Sequence, residues 1–225
     1  MSADPLDRLS EAARAWGTPL PAATLELIAD YLACVREKNQ DTNLTADDAW
    51  EDLVLKHACD AVFAASVLRR LLPPQPRVLD LGSGAGFIGV VLKIVWPQAE
   101  VTLMESVERK YRFLNSAVTS LGLPGLRVLN RRAGAGAPLT TYERGHDAVI
   151  ARALAPLPQA LSLAWPMLGP RGIFAAFQTA EPNERETGLA KALAAEGARV
   201  LESCPYRRPV EANERRLVIF ARSKE

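Results

Sequence analysis

A glycine-rich segment beside an acidic residue is the part of this 225-residue chain that most clearly suggests chemistry. The apolar run Val78–Leu81 includes Asp80, and it is followed by Gly82, Gly84, Gly86 and Gly89. This pattern predicts a strand, a tight turn and the start of a helix. Glycines in such a turn adopt positive φ and approach a ligand closely, and the helix N-terminus offers free N–H groups. The segment therefore predicts a ligand-binding loop at the end of a strand.

Two cofactor classes are compatible with this loop. Gly84-x-Gly86-x-x-Gly89 matches the dinucleotide fingerprint, whereas Asp80-x-Gly82-x-Gly84-x-Gly86 resembles the loop of S-adenosylmethionine enzymes. Asp80 favours the second class, because a carboxylate there repels a pyrophosphate and attracts the cationic amino group of S-adenosylmethionine. Glu105 ends the next predicted strand, where it can accept hydrogen bonds from the ribose hydroxyls of either cofactor. A loop that needs glycine only for packing is a third alternative.

If the cofactor is S-adenosylmethionine, the residues after the later strands indicate which kinds of atom can accept its methyl group. The fourth strand ends Ile150-Ala151-Arg152-Ala153, without the [DNS]PP[YFW]-like tetrapeptide typical of enzymes that methylate exocyclic amines. Ser203-Cys204-Pro205-Tyr206 resembles that tetrapeptide but lies too late in the chain, and we interpret it as the end of a strand. Guanine N7 has an in-plane lone pair and loses no proton, so its methylation needs alignment and water exclusion rather than a base. Many other acceptors share that property.

Periodicity predicts the elements that position these residues. Strands are predicted at Arg77–Leu81, Val101–Met104, Leu126–Leu129, Asp147–Ala151, Ile173–Phe177, Val200–Ser203 and Leu217–Ala221. Helices are predicted between them over Phe87–Val95, Val107–Leu121, Leu157–Leu168 and Glu184–Glu196. This alternation predicts an α/β fold, a Rossmann-like seven-stranded sheet covered on both faces, as in class I S-adenosylmethionine-dependent methyltransferases.

The first 72 residues are predicted to be helical, over Ala22–Lys38 and Trp50–Leu72, and prolines end the second helix. We predict an N-terminal helical extension over 1–72 and a Rossmann-like methyltransferase domain over 73–225. The extension holds 7 basic and 12 acidic residues, net −5, and the remainder holds 20 and 14, net +6. The second part can therefore meet a polyanion.

Composition narrows the class of protein. Apolar residues make up 48% and charged residues 24% of the chain, which is typical of a globular protein. No apolar run reaches the ~18–20 residues needed to cross a bilayer, and Met1–Asp4 lacks signal-peptide features. We therefore expect a cytoplasmic protein without a membrane segment. The three cysteines lack CxxC spacing, so we expect neither a disulfide framework nor a metal site.

Taken together, several segments resemble one family, the bacterial 16S rRNA (guanine-N7) methyltransferases, also called glucose-inhibited division protein B. The resemblance covers about residues 25–222 and rests on Asn39–Thr45, Lys56–Asp60, Asp80–Gly89, Leu103–Ser106, Arg132-Ala133, Val149–Ala155 and Arg215–Ile219. It implies S-adenosylmethionine as cofactor, 16S rRNA or the small ribosomal subunit as partner, and guanine N7 as acceptor. The sequence departs from the family pattern at Lys38, Ile88, Gly134 and Gln178-Thr179.

The loop and the resemblance together predict the site residues. Cofactor-binding residues are predicted at Asp80, Gly82, Ser83, Gly84, Gly86, Phe87, Glu105, Arg132, Ala133 and Arg152. Catalytic roles are predicted for Arg152, Asn39 and His57. A guanidinium at Arg152 can hold a phosphate or the guanine edge, and a surface ion pair is the alternative. His57 is either a core histidine tied to backbone or an anchor of the extension against the glycine loop.

Other arginines and other functions remain open. RNA contacts are predicted for Arg131 and Arg132 and for the pairs Arg207-Arg208 and Arg215-Arg216, with solvated surface positions as the alternative. The other functions are a small-molecule methyltransferase on the same scaffold, a non-catalytic RNA- or ribosome-binding relative, and a dinucleotide oxidoreductase. We expect a monomer.

Overall fold

The computed structural model describes residues 4–136 and 138–223 and contains one seven-stranded sheet. The predicted parts 1–72 and 73–225 include residues 1–3, 137 and 224–225, which lie outside the described residues. The strands are β1 (Arg77–Leu81), β2 (Glu100–Glu105), β3 (Leu126–Asn130), β4 (His146–Ala151), β5 (Leu168–Gln178), β6 (Ala198–Tyr206) and β7 (Arg215–Arg222). Each predicted strand is therefore present, and several are longer than predicted.

The sheet order is β3-β2-β1-β4-β5-β7-β6, with β1 to β5 parallel and β7 antiparallel to both of its neighbours. The strand order reverses between β1 and β4. In open α/β sheets a ligand binds outside the carboxyl ends of the strands at such a reversal. The glycine loop follows β1 and Arg152 follows β4, so both lie at this place in the sheet.

Helices cover both faces of the sheet. They are α1 (Pro5–Ala15), α2 (Ala22–Thr42), α3 (Trp50–Asp52), α4 (Cys59–Leu71), α5 (Phe87–Val95), α6 (Glu108–Leu121), α7 (Leu157–Ala164) and α8 (Thr187–Glu196). The predicted helix over Leu157–Leu168 is too long, because a 3₁₀ turn follows α7 and Leu168 already begins β5. Helix α1, in which only Leu9 and Ala13 are buried, has no counterpart among the predicted helices.

The predicted helix over Trp50–Leu72 contains an interruption. Residues Leu53–Ala58 form a π-helical segment between α3 and α4. Such segments occur often at functional sites, because the wider turn changes the direction of the side chains on it. His57 lies within this segment and Asp60 follows it at the start of α4.

The N-terminal helices and one face of the sheet share a single hydrophobic cluster. It includes Leu32 and Val35 of α2 and Leu68 of α4 together with Val91 of α5 and Val101 of β2. The helix α4 has nine buried residues, as expected for a helix enclosed on all sides. A second cluster lies on the opposite face, between the sheet and α7 and α8. The boundary at residue 72 is thus crossed by a continuous core, and the two-part division stays a prediction. No helix within the described residues is long and apolar enough to span a membrane.

Candidate active site

The loop between β1 and α5 has the backbone geometry that its glycines predict. Gly82, Gly84 and Gly86 have φ of 77°, 60° and 83°. The N–H groups of Gly82 and Ser83 both donate to the Met104 carbonyl, at 2.9 and 3.0 Å, which ties the loop to the end of β2. A Cβ on Gly82 would lie 2.6 Å from Cδ1 of Leu154, so that side chain would have to move, and the φ of 77° itself favours glycine at this position.

Asp80 lies beneath this loop rather than beside it. Its side chain is buried, and Oδ2 accepts a hydrogen bond from the Gly89 N–H at 2.9 Å. A Cβ on Gly89 would lie 2.9 Å from the same oxygen, so glycine lets α5 approach β1 closely. Burial raises the pKa of Asp80 to about 6, against the lowering effect of this hydrogen bond.

Glu105 ends β2 as predicted, and its carboxylate orders the loop. Oε2 accepts from the Gly84 N–H at 2.8 Å, and Oε1 accepts from the Val107 N–H at 2.7 Å. Each carboxylate oxygen has two lone pairs, so each retains the capacity for one further hydrogen bond. The side chain is therefore held in place and can still accept from a ligand.

A cavity of about 540 Å³ opens at the carboxyl ends of β1, β2 and β3. It is lined by loop and strand-end residues and by the start of α7: Leu81, Gly82, Met104, Ser106, Arg131, Arg132, Ala133, Gly134, Leu154, Ala155, Pro156, Gln159 and Leu163. Arg132 is exposed at its rim, whereas Arg131 pairs at 2.5 Å with the buried carboxylate of Glu143. Arg131 is therefore not the freely solvated residue that a surface pair would require.

A second cavity, of about 290 Å³, adjoins the first at Ala155 and Pro156, which line both. Arg152, Arg208 and Arg215 line it, together with Phe177, Gln178, Thr179 and Tyr206. Among its lining residues, all of them described, no carboxylate occurs. Its wall thus carries three guanidinium groups, paired with Asp60 and Glu211 behind them, and is partly aromatic. Ala153, which also lines this cavity, has φ of 53°, an uncommon backbone conformation for a residue with a Cβ.

Arg152 and His57 form a hydrogen-bonded pair between the two parts of the chain. Arg152 Nη2 lies 2.7 Å from His57 Nδ1, and His57 Nε2 lies 2.9 Å from Asp47 Oδ2. Arginine only donates hydrogen bonds, so Nδ1 accepts and the proton of the neutral ring is on Nε2. Burial, together with the charge of Arg152, lowers the pKa of His57 to about 4. The ring also stacks on Phe87 at the start of α5, with centroids 4.0 Å apart.

Asp60 lies behind the second cavity and holds two of its arginines. Its fully buried carboxylate accepts from Arg152 Nη1 at 2.8 Å and from Arg208 Nε and Nη2 at 2.8 and 2.5 Å. The Tyr206 hydroxyl donates to the same carboxylate at 2.6 Å. Burial by itself would raise the pKa of Asp60, but the hydrogen bonds and charges of the two arginines hold it below its usual value.

Residues 24–211 match the protein family described as GidB, rRNA small subunit methyltransferase G. The chain belongs to this family. The ribosomal RNA small subunit methyltransferase G of Geobacter sp. (strain M21) is 34% identical over 215 residues, which are 96% of each chain. That of Halalkalibacterium halodurans is 33% identical over 208 residues, or 92% of this chain and 87% of the relative.

Solved structures agree with this membership at the level of the fold. A S-adenosylmethionine-dependent O-methyltransferase from Thermotoga maritima superposes with a TM-score of 0.53 at 17% identity, covering 85% of this chain and 72% of that one. A putative transferase from Pyrococcus horikoshii gives 0.56 at 12% identity, covering 76% and 64%. The GidB-family chain thus has the class I methyltransferase fold that the sequence analysis predicts.

The predicted site residues of this family member fall into three groups. Gly82, Arg132 and Ala133 line the first cavity. The other predicted residues of the same loop and strand ends do not line it: Asp80, Ser83, Gly84, Gly86 and Glu105. Arg152 lines the second cavity and contacts His57 and Phe87, which also stack on each other. Asn39 lies apart from both: its Oδ1 accepts from the Thr45 N–H at 2.9 Å and orders the turn after α2. Thr45 in turn accepts from the Asp47 N–H, so Asn39 reaches His57 only through two other residues.

Two members of the site were not predicted from the sequence, and a third was left open. Asp60 was noted only as part of a motif, Tyr206 was interpreted as a strand end, and Arg208 was predicted either to contact RNA or to belong to a solvated surface pair. Tyr206 does end β6, but Arg208 is buried while Arg207 is exposed, so solvation of the whole pair is wrong. An acidic residue in the apolar first half of helix α4 was the available signal, because a buried carboxylate needs a cationic partner.

Proposed function

We propose that the protein transfers the methyl group of S-adenosylmethionine to N7 of a guanine in small-subunit ribosomal RNA. The observation that carries this proposal is the pair of adjoining cavities at the strand-order reversal. One is bordered by the glycine loop, and the other is lined by three arginines and by no carboxylate among its lining residues. The proposal includes action as a monomer in the cytoplasm, where ribosomal subunits are present.

The residues around the first cavity fit S-adenosylmethionine. Glu105 lies between Met104 and Ser106, which line this cavity, and each of its carboxylate oxygens keeps a lone pair for a ribose hydroxyl. Leu154 and Leu163 offer apolar contact for a ring. The backbone at Ala133 offers N–H groups to the ring edge, and Asp80 contributes negative charge beneath the loop that favours a cationic ligand. S-adenosylmethionine, when bound, supplies an electrophilic methyl group. The chain itself binds and orients the cofactor and excludes water around it.

The second cavity fits an acceptor from which no proton has to be removed. His57 is neutral, but its one lone-pair nitrogen accepts from Arg152, and Asp47 holds the proton on the other nitrogen. Asp60 already accepts four hydrogen bonds, two on each oxygen. Neither group is therefore available as a general base. Guanine N7 needs none, and the guanidinium groups suit the phosphate or the O6 edge of a nucleotide.

The test is methylation of small ribosomal subunits from cells that lack this gene. Purified protein is incubated with the subunits and methyl-labelled S-adenosylmethionine, and the modified nucleotide is located by cleavage at 7-methylguanine followed by reverse transcription. We expect label at N7 of one guanine of the small-subunit RNA. Label on another atom, or on a metabolite with the subunits untouched, would refute the assignment of the acceptor.

A further inference from the structure

The geometry points to Asp60 as a positioning residue of the acceptor site: we propose that it holds Arg152 and Arg208 in the one arrangement that binds a phosphate of the RNA substrate. The inference rests on the proposed function and adds a residue that touches neither cavity. Asp60 belongs to α4, whereas its two arginines follow β4 and β6, at sequence separations of 92 and 148 residues.

The hydrogen-bond capacity of Asp60 is fully used. Arg208 donates through Nε and Nη2 in a two-pronged pair, and Arg152 and Tyr206 donate one bond each. A carboxylate accepts about four hydrogen bonds, so no lone pair is left for a ligand. The carboxylate is fully buried, whereas the Arg152 side chain keeps 20% of its surface exposed. The carboxylate therefore faces the protein interior and the guanidinium groups face the cavity.

Residues other than Asp60 also hold Arg152, Arg208 and Tyr206 in place. His57 accepts from the second Nη of Arg152, and Glu211 accepts from Arg208 Nη1 at 2.8 Å. The Tyr206 ring stacks on Phe63 of α4, with centroids 4.2 Å apart. Each arginine is thus restrained at two or more nitrogen atoms. A guanidinium held in this way loses little conformational freedom when it binds a phosphate, whereas a free arginine loses much more.

Variants can distinguish the effect of the positive charge of the two arginines from the effect of their position. Asp60→Asn keeps both cations but replaces one accepting oxygen by an NH₂ group that faces an N–H donor. The two arginines then no longer share a charged partner that can accept from all of the N–H groups directed at it. We expect at least a tenfold rise in the KM for small ribosomal subunits, a change of less than twofold in the Kd for S-adenosylmethionine, and a smaller change in kcat than in KM.

Two further variants keep the inference falsifiable if Asp60→Asn does not fold. Arg152→Lys retains the positive charge, but one ammonium group cannot reproduce the planar fork that contacts Asp60 and His57 together. We expect it to raise the same KM at least fivefold. Asp147→Asn is the matched control, because Asp147 lines neither cavity, lies near the amino end of β4 and accepts a hydrogen bond from the Arg77 N–H at 2.7 Å. The KM of this variant should stay within twofold of the wild-type value.

The outcomes are distinct. An Asp60→Asn protein that melts at a lower temperature, yet keeps the wild-type KM for subunits while folded, would limit Asp60 to a structural role and overturn the inference. Wild-type behaviour of Arg152→Lys would overturn it as well, because charge alone would then suffice. A wild-type protein that binds S-adenosylmethionine but methylates no RNA would refute the proposed function, and this inference with it.

Discussion

Glu105 orders the glycine loop, and its proposed contact with the cofactor offers the most direct test of the first cavity. Glu105→Ala removes a carboxylate that orders the loop through Gly84 and that can accept hydrogen bonds from the ribose. We expect a loss of about 1–3 kcal/mol in the binding free energy of S-adenosylmethionine, the usual scale for hydrogen bonds to charged groups. Titration calorimetry measures this loss. Glu100→Ala, at the exposed opposite end of the same strand, is the control and should bind normally.

His57 makes the stability of the protein depend on pH in a predictable direction. Its pKa is about 4 in the folded protein and about 6.5 in an unfolded chain, so the neutral ring stabilises the fold above pH 6.5. That contribution declines as pH falls from 6.5 toward 4, because the unfolded chain takes up the proton first. Between pH 7 and pH 5 the decline amounts to about 2 kcal/mol at ~1.4 kcal/mol per pKa unit.

The variant His57→Gln isolates this effect. The difference in unfolding free energy between the wild type and the variant should be about 2 kcal/mol smaller at pH 5 than at pH 7, for the reason just given. Urea unfolding at the two pH values measures it. Asp80 and His146 also titrate abnormally, but both proteins retain them, so their contributions cancel. A difference that does not change with pH would mean that folding does not shift the pKa of His57, and a difference that is larger at pH 5 would mean that the ring is charged in the folded protein.

The individual site residues were predictable to different extents, for a physical reason. Glu105 and the loop glycines are determined by local pattern, since each lies where an apolar run ends and the chain must turn. The partners of Arg152 are not local: Asp60 and His57 lie 92 and 95 residues away and contact it only after the extension packs on the sheet. No periodicity in a single sequence specifies such contacts.

A single side-chain hydrogen bond connects α2 to the glycine loop. Tyr31 of α2 is buried, and its hydroxyl donates to the Ala85 carbonyl within the loop. Tyr31→Phe leaves that buried carbonyl without its partner, which costs about 1–3 kcal/mol. We expect this loss in urea unfolding, and several-fold weaker S-adenosylmethionine binding because the loop is less well ordered. Tyr142→Phe, at a mostly exposed tyrosine, is the control and should change neither quantity.

Helices and strands with strong internal periodicity were predicted well, and those defined by their neighbours were not. The sequence predicts α5 within its observed bounds, because nine apolar or small residues between a glycine turn and Pro97 leave little choice. The π-helical segment Leu53–Ala58 has no local signature of this kind. It accompanies the contacts of His57 with Arg152, Phe87 and Asp47, all from other parts of the chain. Likewise β5 begins before its predicted start because its first residues pair with β4.

The uneven charge of the chain predicts that salt weakens the affinity for RNA much more than the affinity for S-adenosylmethionine. Residues 73–225 carry net +6, and the second cavity is lined by Arg152, Arg208 and Arg215. If these arginines neutralise three phosphates, affinity for RNA should fall about 40-fold between 50 and 200 mM salt, from a log–log slope of about −2.7. Filter binding with small-subunit RNA measures the slope. S-adenosylmethionine binding under the same conditions is the control, and it should change less than twofold.

The continuous core predicts that residues 73–225 do not fold alone. Without the extension, α5 loses the cover of α4, a helix with nine buried residues, and the apolar side chains of that face become exposed. We expect a fragment of residues 73–225 to bind a hydrophobic dye and to lack a cooperative thermal transition, as partly packed states do. A chain that starts at residue 18 loses only α1, with two buried residues, and should still unfold cooperatively at a lower temperature. A cooperative, cofactor-binding fragment 73–225 would instead establish the methyltransferase domain as an autonomous unit, with the extension as an addition to a complete core.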